Sequence, residues 1–332
     1  MNTFKRFLFL SFISYFLSLI GVYAAPRVLA TIDLKQFSSL NLRNPYAIAY
    51  DETKNHIFVA GWGDNKLLII DPSTKNLVDE IKGINWPWKI VLEPEKKLVY
   101  IAGYEYVTGY GYNDTIYGIN TEQKSIQKKL TIDNGWLLDF VIDKEKNLIY
   151  GITLKWEYLN GTRRGYASFI TIDAVNGIIL SRLELGENLW PSGIAFDSSK
   201  QKIYISVNDF MNWNYTEKIF IVDLQTKTIS NTVTLNTTDT WSFLTNVKLD
   251  KRTNTLYAAD YNRKIWYLDT ITEKLSGKID VPCYPWSLSI DIKKNQLYLP
   301  DNYMDRTIVV DLDTKLFKTT IKAGDDPCNA AV

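Results

Sequence analysis

The stretch WPSGIAFDSSKQKIYISVNDFMNWNYTEKIFIVD, Trp190–Asp223, decides the fold. WPSGIAFD reads as an apolar strand opened by Trp190-Pro191 and closed by Asp197. After a polar turn comes KIYISV, a second run rich in β-branched and aromatic residues, the composition of a strand. A longer polar and aromatic segment leads to KIFIVD, which ends at Asp223, and TISNTVTL supplies a fourth strand.

The same order recurs along the chain. The closing acids of the first strands are Asp51, Glu93, Asp143, Asp197, Asp250 and Asp291, spaced 41–54 residues apart. Strands alternate with period 2, and Asp, Asn, Lys and Thr fill the turns. Four strands per repeat at this period indicate an all-β β-propeller with six full repeats and exclude helical tandem repeats. RVLATIDL (27–34) reads as a fourth strand, and DPCNAAV (326–332) as the beginning of a first strand. Together the N- and C-terminal strands are expected to form an incomplete seventh unit. A six-bladed ring with paired end strands, or seven blades with more chain beyond Val332, are the alternatives.

The repeat resembles the YVTN-type propeller repeat, related to the NHL and WD40 propellers. The resemblance rests on second strands such as Tyr100-Ile-Ala-Gly103, Tyr257-Ala-Ala-Asp260 and Tyr298-Leu-Pro-Asp301. Third strands such as Ile69-Ile-Asp71, Ile221-Val-Asp223 and Val309-Val-Asp311 add to it. It covers residues 27–332. It implies an architecture and no particular activity, because such propellers serve many roles.

Residues 1–24 read as a secretory signal peptide, with Lys5 and Arg6 before an uncharged apolar run and cleavage after Ala24 or Ala25. An uncleaved anchor is the alternative, although the run is short for a membrane span. The propeller domain then occupies residues 27–332. Four sequons, at Asn113, Asn160, Asn214 and Asn236, fit export as a glycoprotein. The expected location is extracellular, without a membrane association once the signal is removed. A formal net charge of +1 offers nothing to nucleic acid. A monomer with a protein or carbohydrate partner is expected.

Aromatic residues make up 14% of the chain and crowd the openings of the first strands. Trp86, Trp88, Trp136, Trp190, Trp241, Tyr284 and Trp286 are expected to ring the mouth of the central channel, as wedges between blades or as a ligand platform. Strand topology places the segments between second and third strands on the same face. These read as long loops in repeats two to four (103–114, 155–166 and 208–215) and carry many aromatics. They form either a self-packed cap or a contact surface.

Catalytic signals are few. His56, the single histidine, reads as a surface turn residue, so no Ser-His-Asp or Cys-His set can form. Haem attachment through Cys-x-x-Cys-His is absent from the sequence. Asp260 and Asp301 follow the second strands of repeats five and six, and oxygen ligands there would suit Ca²⁺. Propeller lactonases hold a metal in this general way, but their ligand pattern is not recognisable here. Apart from that calcium, no cofactor is expected. Cys283 and Cys328 are a candidate disulfide in an exported chain. The leading expectation is a secreted binding module using the aromatic face. A lactonase-like hydrolase or lyase with a carboxylate or calcium site is the alternative.

Overall fold

A computed structural model describes residues 32, 34, 45–107, 111–133, 135–159, 161–209, 216–235, 242–301, 303–323 and 329–331. Residues 1–30, which contain the expected signal peptide, lie outside the described residues, as do Trp241, Asn160, Asn214, Asn236 and Cys328.

Each repeat folds into one antiparallel four-stranded sheet, and six such blades make a β-propeller. Blade one comprises β1 (Pro45–Asp51), β2 (His56–Gly61), β3 (Lys66–Asp71) and β4 (Asn76–Lys82). Blade two comprises β5 (Asn85–Glu93), β6 (Leu98–Val107), β7 (Gly111–Asn120) and β8 (Ser125–Thr131). Blade three has β9 (Trp136–Asp143), β10 (Leu148–Leu159), β11 (Thr162–Asp173) and β12 (Ile178–Glu187). Blade four has β13 (Leu189–Asp197), β14 (Lys202–Asp209), β15 (Thr216–Asp223) and β16 (Thr228–Leu235). Blade five has β17 (Leu244–Asp250), β18 (Thr255–Asp260), β19 (Lys264–Asp269) and β20 (Lys274–Asp280). Blade six has β21 (Ser289–Asp291), β22 (Gln296–Asp301), β23 (Arg306–Asp311) and β24 (Leu316–Lys322).

The acids that end first and third strands form the turns, as expected. Asp197 Oδ1 accepts the backbone N–H groups of Ser199 (3.0 Å) and Lys200 (3.2 Å). Asp223 Oδ1 accepts those of Gln225 (2.8 Å) and Thr226 (3.0 Å). A carboxylate so placed mimics a backbone turn and leaves no amide without an acceptor. These bonds lower the pKa of Asp223, with the Thr226 amide the largest cause.

Apolar faces meet between blades. Phe58, Ala60, Leu67 and Ile69 of blade one pack on Ile90, Val99, Ile101 and Ile119 of blade two, and comparable clusters join each later pair through blade six. The opposite face of blade one, with Val59, Leu68 and Ile70, is covered by Ile32 and Leu34. At the other terminus, Asn329 Nδ2 donates to the Tyr46 carbonyl (3.1 Å), and Ser289 Oγ donates to the Ala330 carbonyl (2.5 Å). The described parts of both termini therefore sit at the seam between blades six and one. Across that seam Lys293 Nζ lies 2.8 Å from Glu52 Oε2.

Two segments read as loops are strands. In blade two β6 and β7 pair from Leu98↔Asn120 out to Val107↔Gly111. In blade three β10 and β11 pair from Leu148↔Asp173 out to Leu159↔Thr162. Aromatic residues favour a pleated, half-buried surface, and a hairpin lets both backbones satisfy one another. The corresponding part of blade four between Asp209 and Thr216 lies outside the described residues. Among the described residues no helix is long and apolar enough to cross a membrane.

Candidate functional site

The first strand of every blade is innermost, so all six converge on one channel. At their opening ends lies a cavity of about 840 Å³. Its walls are Tyr46–Ile48, Trp88–Ile90, Leu138, Asp139, Trp190–Ser192, Ser242–Asn246 and Trp286–Ser289, with Trp156, Asn208, Asn329 and Ala330 completing it. That volume falls within the range of small-molecule sites, which are mostly apolar with a few placed polar groups.

A recurring irregularity shapes the wall. The register of first and second strands slips between Pro45 and Ala47, Asn85 and Lys89, Pro191 and Gly193, and Leu244 and Asn246. In blade three the slip lies between Ile152 and Thr153, opposite the β9 segment Leu137–Asp139. A bulge bends its strand and redirects side chains. Here it delivers the residue four before the closing acid to the mouth in blades one, two, three and five: Ala47, Lys89, Asp139 and Asn246. Ser287 holds that position in blade six. In blade four it is Gly193, where a Cβ would approach Val247 N to 2.8 Å and Asn246 Cα to 2.9 Å.

The expected aromatic ring divides. Trp88, Trp190 and Trp286 line the cavity. Trp190 lies 6.3 Å from Trp156, over which Arg163 sits at 4.1 Å. Trp86, Trp136 and Tyr284 do not line it. Trp86 has a left-handed backbone (φ 44°), and its amide donates to Asn65 Oδ1 (2.9 Å). Its indole turns outward onto Trp62 and Tyr104. Trp136 is 49% exposed and pairs with Leu154 on the sheet. Tyr284 packs among Tyr261, Tyr303 and Arg263, accepting a 2.6 Å hydrogen bond from the arginine. Trp241 lies outside the described residues.

The cavity floor carries charge that the aromatic pattern does not announce. Lys89 Nζ lies 2.7 Å from Asp139 Oδ1, an ion pair between blades two and three. Asp139 is buried; its Oδ1 also accepts the Phe140 amide (2.9 Å), and its Oδ2 accepts the Ile194 amide of blade four (3.3 Å). Lys248 of blade five joins them. Burial, then the neighbouring Lys89, pulls its pKa down to about 8, while Asp139 pulls the other way. A second cavity, of about 390 Å³, adjoins these residues and is lined also by Val91, Leu92, Phe140–Ile142, Phe196 and Lys251. The visible signal for this set was a charge inside an otherwise apolar first strand, as in PWKIVLE, LLDFVID and LTNVKLD.

Several polar atoms of the wall are buried without a partner: Trp88 Nε1, Trp156 Nε1 and Asn246 Oδ1. Asn208 is differently placed, since its side chain joins blades four and five by accepting the Leu244 amide (2.7 Å) and donating to the Leu244 carbonyl (2.9 Å).

The two acids expected at a metal site meet protein donors, Asp260 through both oxygens and Asp301 through Oδ2, while Asp301 Oδ1 is buried without a partner. Asp260 Oδ1 accepts from Ser242 Oγ (2.7 Å) and the Asn262 amide (2.8 Å), and its Oδ2 accepts from Trp266 Nε1 (2.9 Å). Asp301 Oδ2 pairs with Arg306 Nε at 2.9 Å. Among the described residues no cluster of three or more His, Cys, Asp or Glu side chains could hold a metal ion. Cys283 is buried, and its expected partner Cys328 is outside the described residues. Of the sequons only Asn113 is described; it lies half-buried in β7, opposite Glu105.

No protein-family model matches the chain, and no curated protein matches its sequence. Solved structures share its fold. One is Kuenenia stuttgartiensis hydrazine synthase, with a TM-score of 0.67 at 14% identity over 81% of this chain and 83% of that one. Likeness at that identity concerns the fold alone.

Proposed function

We propose that the chain is an exported YVTN-type propeller that works as a binding module, holding a small ligand in the channel mouth. The carrying observation is the cavity of about 840 Å³, walled by the first strands of all six blades and by Trp88, Trp190 and Trp286. Indoles present wide apolar faces with an N–H at the edge, suited to the ring of an aromatic compound or the apolar face of a sugar. The unpartnered Trp88 Nε1, Trp156 Nε1 and Asn246 Oδ1 support this reading, because buried polar atoms are normally bonded and these belong to residues that line the cavity. The engagement of both Asp260 oxygens with protein donors favours binding over metal-assisted hydrolysis.

The test is a thermal-shift screen of mono- and oligosaccharides and small aromatic and aliphatic compounds. Hits are then titrated against Trp88→Ala and Trp286→Ala. The expected result is a hit weakened at least about tenfold in both variants, since each removes a large contact face. Hits indifferent to both substitutions, or a stabilisation by Ca²⁺ that EDTA reverses together with lactone hydrolysis, would overturn the proposal.

A further inference from the structure

We propose that the ligand of the channel mouth is an organic acid, its anionic group seated on Lys248 and its uncharged body among Trp88, Trp156, Trp190 and Trp286. The inference rests on the reading of the mouth as a ligand site and names the class of molecule it takes.

The charge balance of the floor carries it. Three ionisable side chains meet there: Lys89, Asp139 and Lys248. Asp139 is fully committed, to Lys89 at 2.7 Å and to the amides of Phe140 and Ile194. Lys248 makes no hydrogen bond or ion pair with any described residue, although it shares this confined space. An ammonium removed from bulk water without a counter-ion is costly, and natural interiors pair such groups. Among the described residues the floor thus presents two cations and one anion, with the unneutralised charge beside the cavity. Lys251, the further charged group of the adjoining cavity, is bound to Ser198 Oγ (2.9 Å) and lies 5.8 Å from the Phe196 ring. It supplies no negative charge.

The polar atoms of the wall lean the same way. Trp88 Nε1 and Trp156 Nε1 are donors only, and both are buried without an acceptor. The cation calls for oxygen acceptors on the ligand, and a small turn of either indole would bring a donor beside it. A carboxylate supplies a charge for Lys248 and lone pairs for a neighbouring indole, while the apolar remainder of the wall accepts a ring or chain. At pH 7 the lysine is charged, since its pKa has been drawn down only to about 8. An anion bound against it would raise that value again.

The experiment compares acids with their neutral amides by calorimetry at pH 7. The pairs are 2-naphthoate and 2-naphthamide, octanoate and octanamide, and glucuronate and glucuronamide. At least one acid is expected to bind at least about tenfold more tightly than its amide. Lys248→Met and Lys248→Gln should abolish that preference, the acid losing at least about ten times more affinity than its amide. Acid binding should also weaken as the pH rises through 8. Acid and amide binding equally, or a preference that survives both substitutions, would overturn the assignment and leave the mouth as a ligand site. Failure of every acid and every amide to bind would overturn both readings.

Discussion

Replacing Lys248 by methionine should make the fold more stable, and the gain should depend on pH. Methionine keeps the unbranched length of lysine and discards the charge. In the folded chain the amine's pKa falls from its ordinary 10.5 to about 8, chiefly through burial. Each unit of difference between folded and unfolded states is worth about 1.4 kcal/mol, so the charged form costs at most about 3 kcal/mol at pH 7. Lys248 keeps some surface towards the channel, and water entering there reduces the cost to about 2 kcal/mol. The sign follows from proton counting. Between pH 8 and 10.5 the Lys248 site binds more protons in the unfolded chain than in the folded one, so this group's contribution to stability rises with pH across that window. Below pH 8 the penalty is present in full. Urea unfolding followed by tryptophan fluorescence at pH 7, 8.5 and 10 measures the difference. Lys248→Met should be about 2 kcal/mol more stable at pH 7, and the gap should close towards pH 10. A destabilised methionine variant, or a gap indifferent to pH, would refute the claim that Lys248 is a desolvated cation without a counter-ion.

Two further substitutions probe the same wall. Asp139→Asn leaves Lys89 as a second unbalanced cation and should cost about 3 kcal/mol, the usual result of breaking a buried pair from one side. Unfolding in urea reads that loss, while calorimetry should show tighter binding of any acid that seats on Lys248. Gly193→Ala places a methyl group 2.8 Å from Val247 N and 2.9 Å from Asn246 Cα, both backbone atoms of β17. Backbone cannot give way as a flexible side chain can, so a loss of about 2 kcal/mol is expected. Thermal unfolding unchanged by Gly193→Ala would contradict the close approach of blades four and five.

The blades were legible because each is local. Period-2 strands, turn acids and a repeat of about forty to fifty residues reveal themselves within a short window of chain. The tips of blades two and three were not. Pairs such as Tyr106↔Tyr112 and Tyr158↔Arg163 are strand pairs, but their surroundings are rich in glycine and asparagine and read as loop. The aromatic ring was half legible for a related reason. Trp86 and Trp88 both open the first strand of blade two, and one left-handed backbone angle at Trp86 sends the first outward. Composition does not encode that angle. The floor charges were visible individually, since a lysine in PWKIVLE interrupts an apolar run. Their association was hidden, because Lys89, Asp139 and Lys248 come together only when three different blades are set around one axis.

The two faces of the disc are built on different principles, and that difference locates the site. On one face the turns after the first strands join blade to blade. Lys96 Nζ bonds Asn147 Oδ1 (2.6 Å), Lys146 reaches Gln201, and Lys200 Nζ bonds Asn254 Oδ1 (2.7 Å). Arg252 Nη2 then bonds Asn295 Oδ1 (3.1 Å), and Lys293 closes the series on Glu52. Exposed contacts of this kind are individually weak, but a repeated one holds each blade in step with the next. A scaffold needs such sameness, and the closing acids Asp51, Glu93, Asp143, Asp197, Asp250 and Asp291 show it. Four residues before those acids the chain reads Ala47, Lys89, Asp139, Gly193, Asn246 and Ser287. Structurally these positions are equivalent, and packing alone would be served by six similar small residues. Instead five of them offer a methyl, a cation, an anion, an amide and a hydroxyl around one cavity, while Gly193 admits the close approach of blade five. Where a repeating fold abandons its own repetition at one register, on the inner strands and beside a bulge, the variation suits the asymmetric ligand proposed for the centre.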